Sequence, residues 1–210
     1  MLVSALILIT LISAALEIRA EYKGPAIQVY LLKPLTLASI ILIALQNKHE
    51  SALFYQSMII AGLSCSLIGD IFLMLPSDRF LHGLVSFLFA HLCYIAAFAT
   101  RAANLSSLAS LILFVLYGII MMRVLLPHLK SLKIPVLVYM LVIMLMGWLA
   151  LVRYAGAGGA GNGLALAGAL LFIASDSILA LNRFKGRFKS AQLLILSTYF
   201  IAQTLIALSV

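Results

Sequence analysis

Charge is scarce in this chain. Of its 210 residues only 10% are Asp, Glu, Lys or Arg, six of them acidic, while 65% are hydrophobic. Soluble domains carry roughly a quarter charged residues, so a water-exposed globule is excluded. Two cysteines cannot build a disulfide framework; Cys65 and Cys93 lie in apolar runs and read as small buried residues. The shortage of acid leaves a net charge of +8 (14 basic minus 6 acidic). No polar stretch is long enough for a nucleic-acid-binding domain, so no nucleic-acid partner is expected, and the charge is a topology signal. There is no G-x-S-x-G nucleophile elbow. The glycine-rich run Gly156–Gly163 lacks the Lys-Ser/Thr ending of a phosphate cradle and reads as a flexible loop.

What the chain does have is long apolar runs. A spanning helix needs about 20 of these residues, and runs fall near 2–18, 27–45, 57–75, 80–99, 106–126, 134–152, 163–181 and 190–209. The expected fold is all-α: a polytopic bundle of eight transmembrane helices, with residues 1–210 forming one integral membrane domain. The first run has no Lys/Arg n-region and is too long for a signal peptide's apolar core, so it reads as a span. The breaks carry Lys23-Gly24-Pro25, Asn47-Lys48-His49-Glu50, Pro76-Ser77-Asp78-Arg79, Asn104, Pro127-His128 and Asn182 to Lys189. Loops this short make neighbouring helices antiparallel.

The odd-numbered loops hold Arg19, Lys23, Arg79, Arg123, Lys130, Lys133, Arg183, Lys185, Arg187 and Lys189. The even ones hold Lys48, Arg101 and Arg153. This bias puts the odd loops in the cytoplasm and both termini on the opposite side. Asp78 and Arg79 read as a solvated turn, and the 183–189 loop as an orientation signal with some attraction for anionic headgroups.

Ionisable groups inside spans are costly and therefore mark sites. Asp70 in the third span, Asp176 in the seventh and Lys33 in the second are the charged ones, with His82, His91, Tyr94, Tyr139, Tyr199 and Gln203 as polar companions. Both aspartates lie about five residues from the cytoplasmic ends of their spans, roughly 7–8 Å in at 1.5 Å per residue; Lys33 lies roughly 9 Å in on a helix running the other way. Tyr139 is at similar depth, and His91 and Tyr199 are deeper. Gly62, Ser66 and Asp70 form a small, polar stripe at i, i+4, i+8. His82 and His91 point to opposite sides of one helix, whereas Phe87, His91 and Tyr94 share a face. Gly69-Asp70-Ile71-Phe72-Leu73-Met74-Leu75 resembles Ser175-Asp176-Ser177-Ile178-Leu179-Ala180-Leu181 at an offset of 176 − 70 = 106, and Arg79-Phe80 resembles Arg183-Phe184 at 104. Two parallel four-helix halves would produce such a repeat.

Two carboxyls in a low-dielectric pocket divide their roles: one stays protonated and the other ionised. Lys33 would hold whichever is nearer as the carboxylate, and the sequence leaves open which that is. Such a pair suits hydrolysis that starts with protonation and passes through an oxocarbenium ion, as in acetals and vinyl ethers. Several other readings use the same residues. Lys33 serves only as a counter-ion, or His91 is a core histidine. Asp70, Asp176, His82 and His91 hold zinc for a lipid amidase or esterase. The Asp–Lys–Asp layer relays protons in a small-molecule or lipid transporter.

Lys33-Pro34-Leu35, Gly69-Asp70-Ile71-Phe72-Leu73, Phe80-Leu81-His82-Gly83-Leu84 with Phe87, His91 and Tyr94, and Ser175-Asp176-Ser177-Ile178-Leu179-Ala180-Leu181-Asn182-Arg183-Phe184 occur in this order along the chain. In these segments it resembles the lysoplasmalogenase family, in its bacterial YhhN-like branch. The resemblance implies a hydrolase of the bacterial inner membrane. It would cleave the vinyl-ether bond of a lysoplasmalogen to a fatty aldehyde and a glycerophospho-ethanolamine or -choline. Asp70 and Asp176 match the family's catalytic pair. The remaining polar residues (Lys33, His82, His91, Tyr94, Tyr139, Tyr199, Gln203) are then expected to bind substrate or tune the pair. No cofactor or metal is expected; the partners are the lysophospholipid and membrane lipids, and a homo-oligomer is allowed.

Overall fold

The computed structural model describes residues 2–46, 53–100 and 108–210. Lys48, His49, Arg101 and Asn104, used above to read the loops, lie outside that set. Among the described residues there are eight long helices and no strand: α1 (Leu2–Lys23), α2 (Ala26–Gln46), α3 (Leu53–Met74), α4 (Phe80–Ala99), α5 (Leu108–Leu125), α6 (Lys133–Ala157), α7 (Ala160–Ala180) and α8 (Ala191–Leu208). All eight are long and apolar enough to span a bilayer. Two 3₁₀ turns, Leu126–His128 and Lys130–Leu132, join α5 to α6, and a π-helical turn, Leu181–Lys185, leads out of α7.

Polarity is inverted relative to a soluble protein. Leu8, Leu11, Leu31, Leu113 and Leu141 are exposed, while Thr10, Ser13, Glu17, Lys33, Thr36, Ser66, Asp70, His91, Arg153 and Gln203 are buried. Only hydrocarbon solvates the first group, and helices satisfy their own backbone polar groups. The chain is an integral membrane protein.

The helices outrun the apolar patterns at three places, one of them the start of α3, which begins at Leu53 where the run is expected from 57. α1 continues past residue 18 to Lys23, because the charged residues there are adequate helix formers, and it stops at Gly24, whose N–H bonds Ala20 O at 2.8 Å. The expected loop from Gly156 to Gly163 shrinks to the pair Gly158–Gly159, which reverses the chain at φ +59° and +84°, a region open to glycine. Asn162 clamps that turn, its Nδ2 donating to Gly158 O (2.6 Å) while its Oδ1 accepts from Arg153 Nε (2.6 Å). Arg153 also donates to Ala97 O and Thr100 Oγ1 and stands 4.2 Å over the Tyr55 ring, tying α3, α4, α6 and α7 together at this end.

The packing nearly repeats when every helix number is raised by four. α3 packs on α4 as α7 does on α8, α2 on α3 as α6 on α7, and α2 on α8 as α6 on α4. The halves therefore interlock through their second and fourth helices. Gly62 and Gly168 (168 − 62 = 106) occupy matching close approaches. A Cβ on Gly62 would lie 2.3 Å from the Tyr94 ring, and one on Gly168 would lie 2.8 Å from Ala202 O and 2.7 Å from Ile206 Cγ1. Backbone cannot swing aside as a ring can. Gly168→Ala is expected to cost about 1–3 kcal/mol by overpacking, read as a lower melting temperature in detergent.

Candidate active site

Asp70, on the last turns of α3, is 2% exposed. Its Oδ1 lies 3.4 Å from Lys33 Nζ on α2, and its Oδ2 accepts a 2.7 Å hydrogen bond from Tyr199 OH on α8. Asp176, in the corresponding place on α7, accepts from Tyr139 OH on α6. That phenol also meets His91 Nε2 on α4 at 2.8 Å, and Nε2 lies 3.7 Å from Asp176 Oδ2. Each aspartate is thus held by the second helix of its own half and the fourth helix of the other. Lys33 and Tyr139 are related by the same offset as the aspartates (139 − 33 = 106), and His91 and Tyr199 by nearly the same, 108. The duplicated frame delivers a cation to one carboxyl and a phenol–imidazole pair to the other.

One hydroxyl proton on Tyr139 serves two neighbours. With Asp176 ionised, the phenol donates to the carboxylate and His91 Nε2–H donates to the phenol oxygen. With Asp176 protonated, the carboxyl donates to the phenol oxygen and the hydroxyl turns to Nε2, which requires the neutral imidazole to carry its proton on Nδ1, a buried atom with no hydrogen-bond partner among the described residues. The Tyr139–Asp176 link survives either state, and it is the stronger when the carboxylate is ionised, because a charged acceptor strengthens a hydrogen bond.

A deeper layer holds Tyr94, whose OH donates to Gln203 Oε1 at 2.8 Å. Phe172 packs edge-on against both His91 (4.7 Å between centroids) and Tyr199 (5.5 Å), so it separates the two aspartate clusters. His82 stands apart. It is exposed on the outer face of α4 against Phe72, 5.5 Å between ring centroids. Lys33, His91, Tyr94, Tyr139, Tyr199 and Gln203 are brought to the aspartates or to the layer beneath them, and His82 is not. Among the described residues no three His, Cys, Asp or Glu side chains stand close enough to share a metal ion, which leaves a zinc reading without a donor set.

The sequence reading passed over Glu17. It lies on α1, fully buried, and neither carboxylate oxygen has a hydrogen-bond partner among the described residues. A ladder of buried hydroxyls sets its position: Thr10 Oγ1 meets Ser39 Oγ, and Thr36 Oγ1 donates to Ser13 Oγ, both at 2.9 Å. In this antiparallel register paired residue numbers sum to 49 (10 + 39, 13 + 36), so the next rung sets Glu17 beside residues 32 and 33. Glu17 is near enough to act electrostatically on Lys33, as is Glu21 one turn further on. The signal was available, since Glu17 is the acid within the first apolar run.

Both aspartates line a cavity of about 530 Å³. Its wall carries Lys33, Glu21, Asn182, Arg183, Arg187 and Gln192. The 183–189 loop, expected to be an orientation signal, therefore contributes cations to the site. Arg183 Nη2 reaches Asp78 Oδ2 at 2.5 Å across the cavity mouth, and the repeat-related Phe80 and Phe184 meet edge to face at 5.5 Å. Asp78 also accepts from Phe80 N–H at 3.3 Å, so the turn expected to be merely solvated straps the two loops together. The hydrogen bond from Arg183, with the Phe80 N–H second, holds Asp78 below the usual carboxyl range. Because the folded value is the lower one, the strap's small contribution is present above the unfolded value and fades as pH falls through the folded one. Asp78→Asn should abolish this acid dependence in a pH-resolved melting series.

A second, narrow cleft of about 60 Å³ abuts the cavity and is almost wholly apolar; Leu73, Phe80, Phe87, Asp176 and Leu179 border both. Asp176 therefore stands where a polar, cationic space meets a hydrocarbon-like one.

The sequence is similar to several known membrane proteins. The chain is 27% identical over 198 residues to the uncharacterized membrane protein YhhN of Escherichia coli O157:H7, covering 94% of each. It is 38% identical over 166 residues to lysoplasmalogenase TMEM86A of Bos taurus (77% of this chain, 66% of the relative). Lysoplasmalogenase TMEM86B of Sus scrofa is 37% identical over 158 residues (74% and 64%). No solved structure matches. The YhhN family model matches residues 28–210, from the start of α2 through every residue of the aspartate clusters, and the chain belongs to the YhhN family.

Proposed function

We propose that this protein hydrolyses the vinyl-ether bond of a lysoplasmalogen, with Asp176 as proton donor and Asp70 as the carboxylate. The observation that carries the assignment is the unequal company of the two acids. Asp70 has the Lys33 ammonium at 3.4 Å, so its negative charge is compensated. Asp176 borders the apolar cleft and sits on a Tyr139–His91 chain that tolerates either protonation state. The names of the mammalian relatives supply the substrate class, and the cationic wall of Lys33, Arg183 and Arg187 suits a phosphodiester.

In this mechanism Asp176 delivers its proton to the vinyl carbon remote from the ether oxygen. The C=C electron pair forms the new C–H bond and an oxygen lone pair completes the oxocarbenium ion. Asp70 takes a proton from water as the water oxygen adds to the cationic carbon, giving a hemiacetal. Asp70 then returns its proton to the departing glyceryl oxygen while the hemiacetal hydroxyl returns one to Asp176. The C–O bond breaks, aldehyde and alcohol leave, and both acids regain their starting states. In this reading the cavity opens to the cytoplasmic side of the inner membrane, a placement that the positive bias of the odd-numbered loops supports. The test is aldehyde release from 1-alkenyl lysophosphatidylethanolamine by purified protein in detergent, with chelator present. Aldehyde is expected; a folded protein that releases none overturns the reading.

A further inference from the structure

The two halves differ most at their first helices. α1 is zipped to α2 by the Thr10–Ser39 and Ser13–Thr36 hydrogen bonds and also packs on α8. Its counterpart α5 is the least buried of the eight helices. Its first half is held to α6 by a hydrogen bond from Trp148 Nε1 to Ser110 Oγ at 3.2 Å and by Phe114, which packs closely on Gly147; beyond these its contact with α6 is thioether-rich. Gly118 faces Met140 and Met144, and Met121 lines the same cleft. Methionine is unbranched and polarizable and refills irregular space easily.

A second apolar space adjoins this cleft on the outside. Tyr117, Met144 and Ile173 line both the cleft and a groove of about 420 Å³ on the outer surface, walled further by Leu113, Leu170 and Ala174. Cleft and groove are therefore neighbours with these three side chains between them, on a line from Asp176, between α5 and α7, to the lipid-facing surface. That line is crossed by one polar link, Tyr117 OH to Ser177 Oγ at 2.8 Å. The groove between α1 and α8, about 340 Å³, is comparably apolar but shares no lining residue with either aspartate cavity.

We propose that the space between α5 and α7 is a lateral channel for the single hydrocarbon chain of a lysophospholipid. The chain runs from Asp176 past Met144 into the bilayer while the headgroup occupies the cationic cavity. The inference rests on the proposed substrate class and adds the path the chain takes. A volume of about 60 Å³ is small for a fatty chain, so occupancy requires α5 and its methionines to give way. The chain's far end lies in lipid, so chain length beyond the cleft should matter little.

The test reads binding, not turnover. The probe is 1-acyl lysophosphatidylethanolamine with a diazirine at mid-chain or at the chain end. Irradiation and peptide mapping are expected to place mid-chain label on Met140 and Met144 and end-chain label on Leu113 and Leu170, both competed by unlabelled lysolipid. Met144→Trp should cut the competed label at least tenfold, and Ile201→Trp, in the α1–α8 groove, should leave it unchanged. Competed label on Leu11, Ser197 and Ile201 overturns the proposal, as does competed label confined to the 183–189 loop. The wild-type map decides even if Met144→Trp fails to fold. Correct labelling without aldehyde release would leave the channel standing and remove the vinyl-ether reading; aldehyde release with label elsewhere would do the reverse.

Discussion

Asp176→Asn is expected to lower aldehyde release by about 10²–10⁴-fold, the usual contribution of a positioned general acid, with little change in melting temperature. Asparagine keeps the size of the side chain and can still hydrogen-bond Tyr139, but it holds no acidic proton for the vinyl carbon. Asp70→Asn should lose a comparable factor for a different reason, because the oxocarbenium ion then faces a neutral amide and the adjacent Lys33 ammonium. Only this second change should also destabilise the protein, since it leaves a buried lysine without the carboxylate at 3.4 Å. Tyr139→Phe separates proton supply from charge balance. It cuts the link between Asp176 and His91 but leaves both acids, and should cost less than Asp176→Asn. Full activity in either asparagine variant would defeat the assignment of the pair.

Much of this site could be read in the chain beforehand, because the membrane filters residues so strongly. An ionisable group within an apolar run of twenty stands out, and Asp70, Asp176 and Lys33 did. Depth arithmetic put them in one layer because a helix advances by a fixed rise. Rotation about the helix axis was less legible. His82 and His91 were known to face opposite ways, but which way faced inward depended on the Gly69–Phe87 and Gly62–Tyr94 approaches between α3 and α4. Glu17 stands within the first apolar run, but its partner is legible only from the α1–α2 register. The role of Arg183 and Arg187 was obscured because a loop's charge reports topology equally well whether or not the loop folds back over a cavity. The repeat at offset 106 was visible at the aspartates; its extension to Lys33 and Tyr139 needed the interlocking of α2 with α8 and α6 with α4.

Lys33→Met is expected to destabilise the protein by about 3–5 kcal/mol, the usual effect of removing one member of a buried ion pair, and to abolish turnover. Two acids lose their cation at once. Asp70 keeps the Tyr199 hydrogen bond, whereas Glu17 has no hydrogen bond among the described residues to fall back on. The loss should therefore be recovered in part by neutralising either acid in the same background. Lys33→Met with Glu17→Gln should be more stable than Lys33→Met alone, and likewise Lys33→Met with Asp70→Asn, giving coupling energies of about 0.5–3 kcal/mol in each double-mutant cycle. The two cycles separate structure from chemistry. If Lys33 is only a strut, the Glu17→Gln double variant should regain activity along with stability. If Lys33 serves the reaction by holding Asp70 as the carboxylate, stability returns without activity, because the neutral methionine cannot replace the ammonium that Asp70 needs during water attack. Denaturation midpoints and aldehyde release on the four proteins of the Glu17 cycle decide between them, and no coupling in that cycle would mean that Glu17 does not share the Lys33 charge.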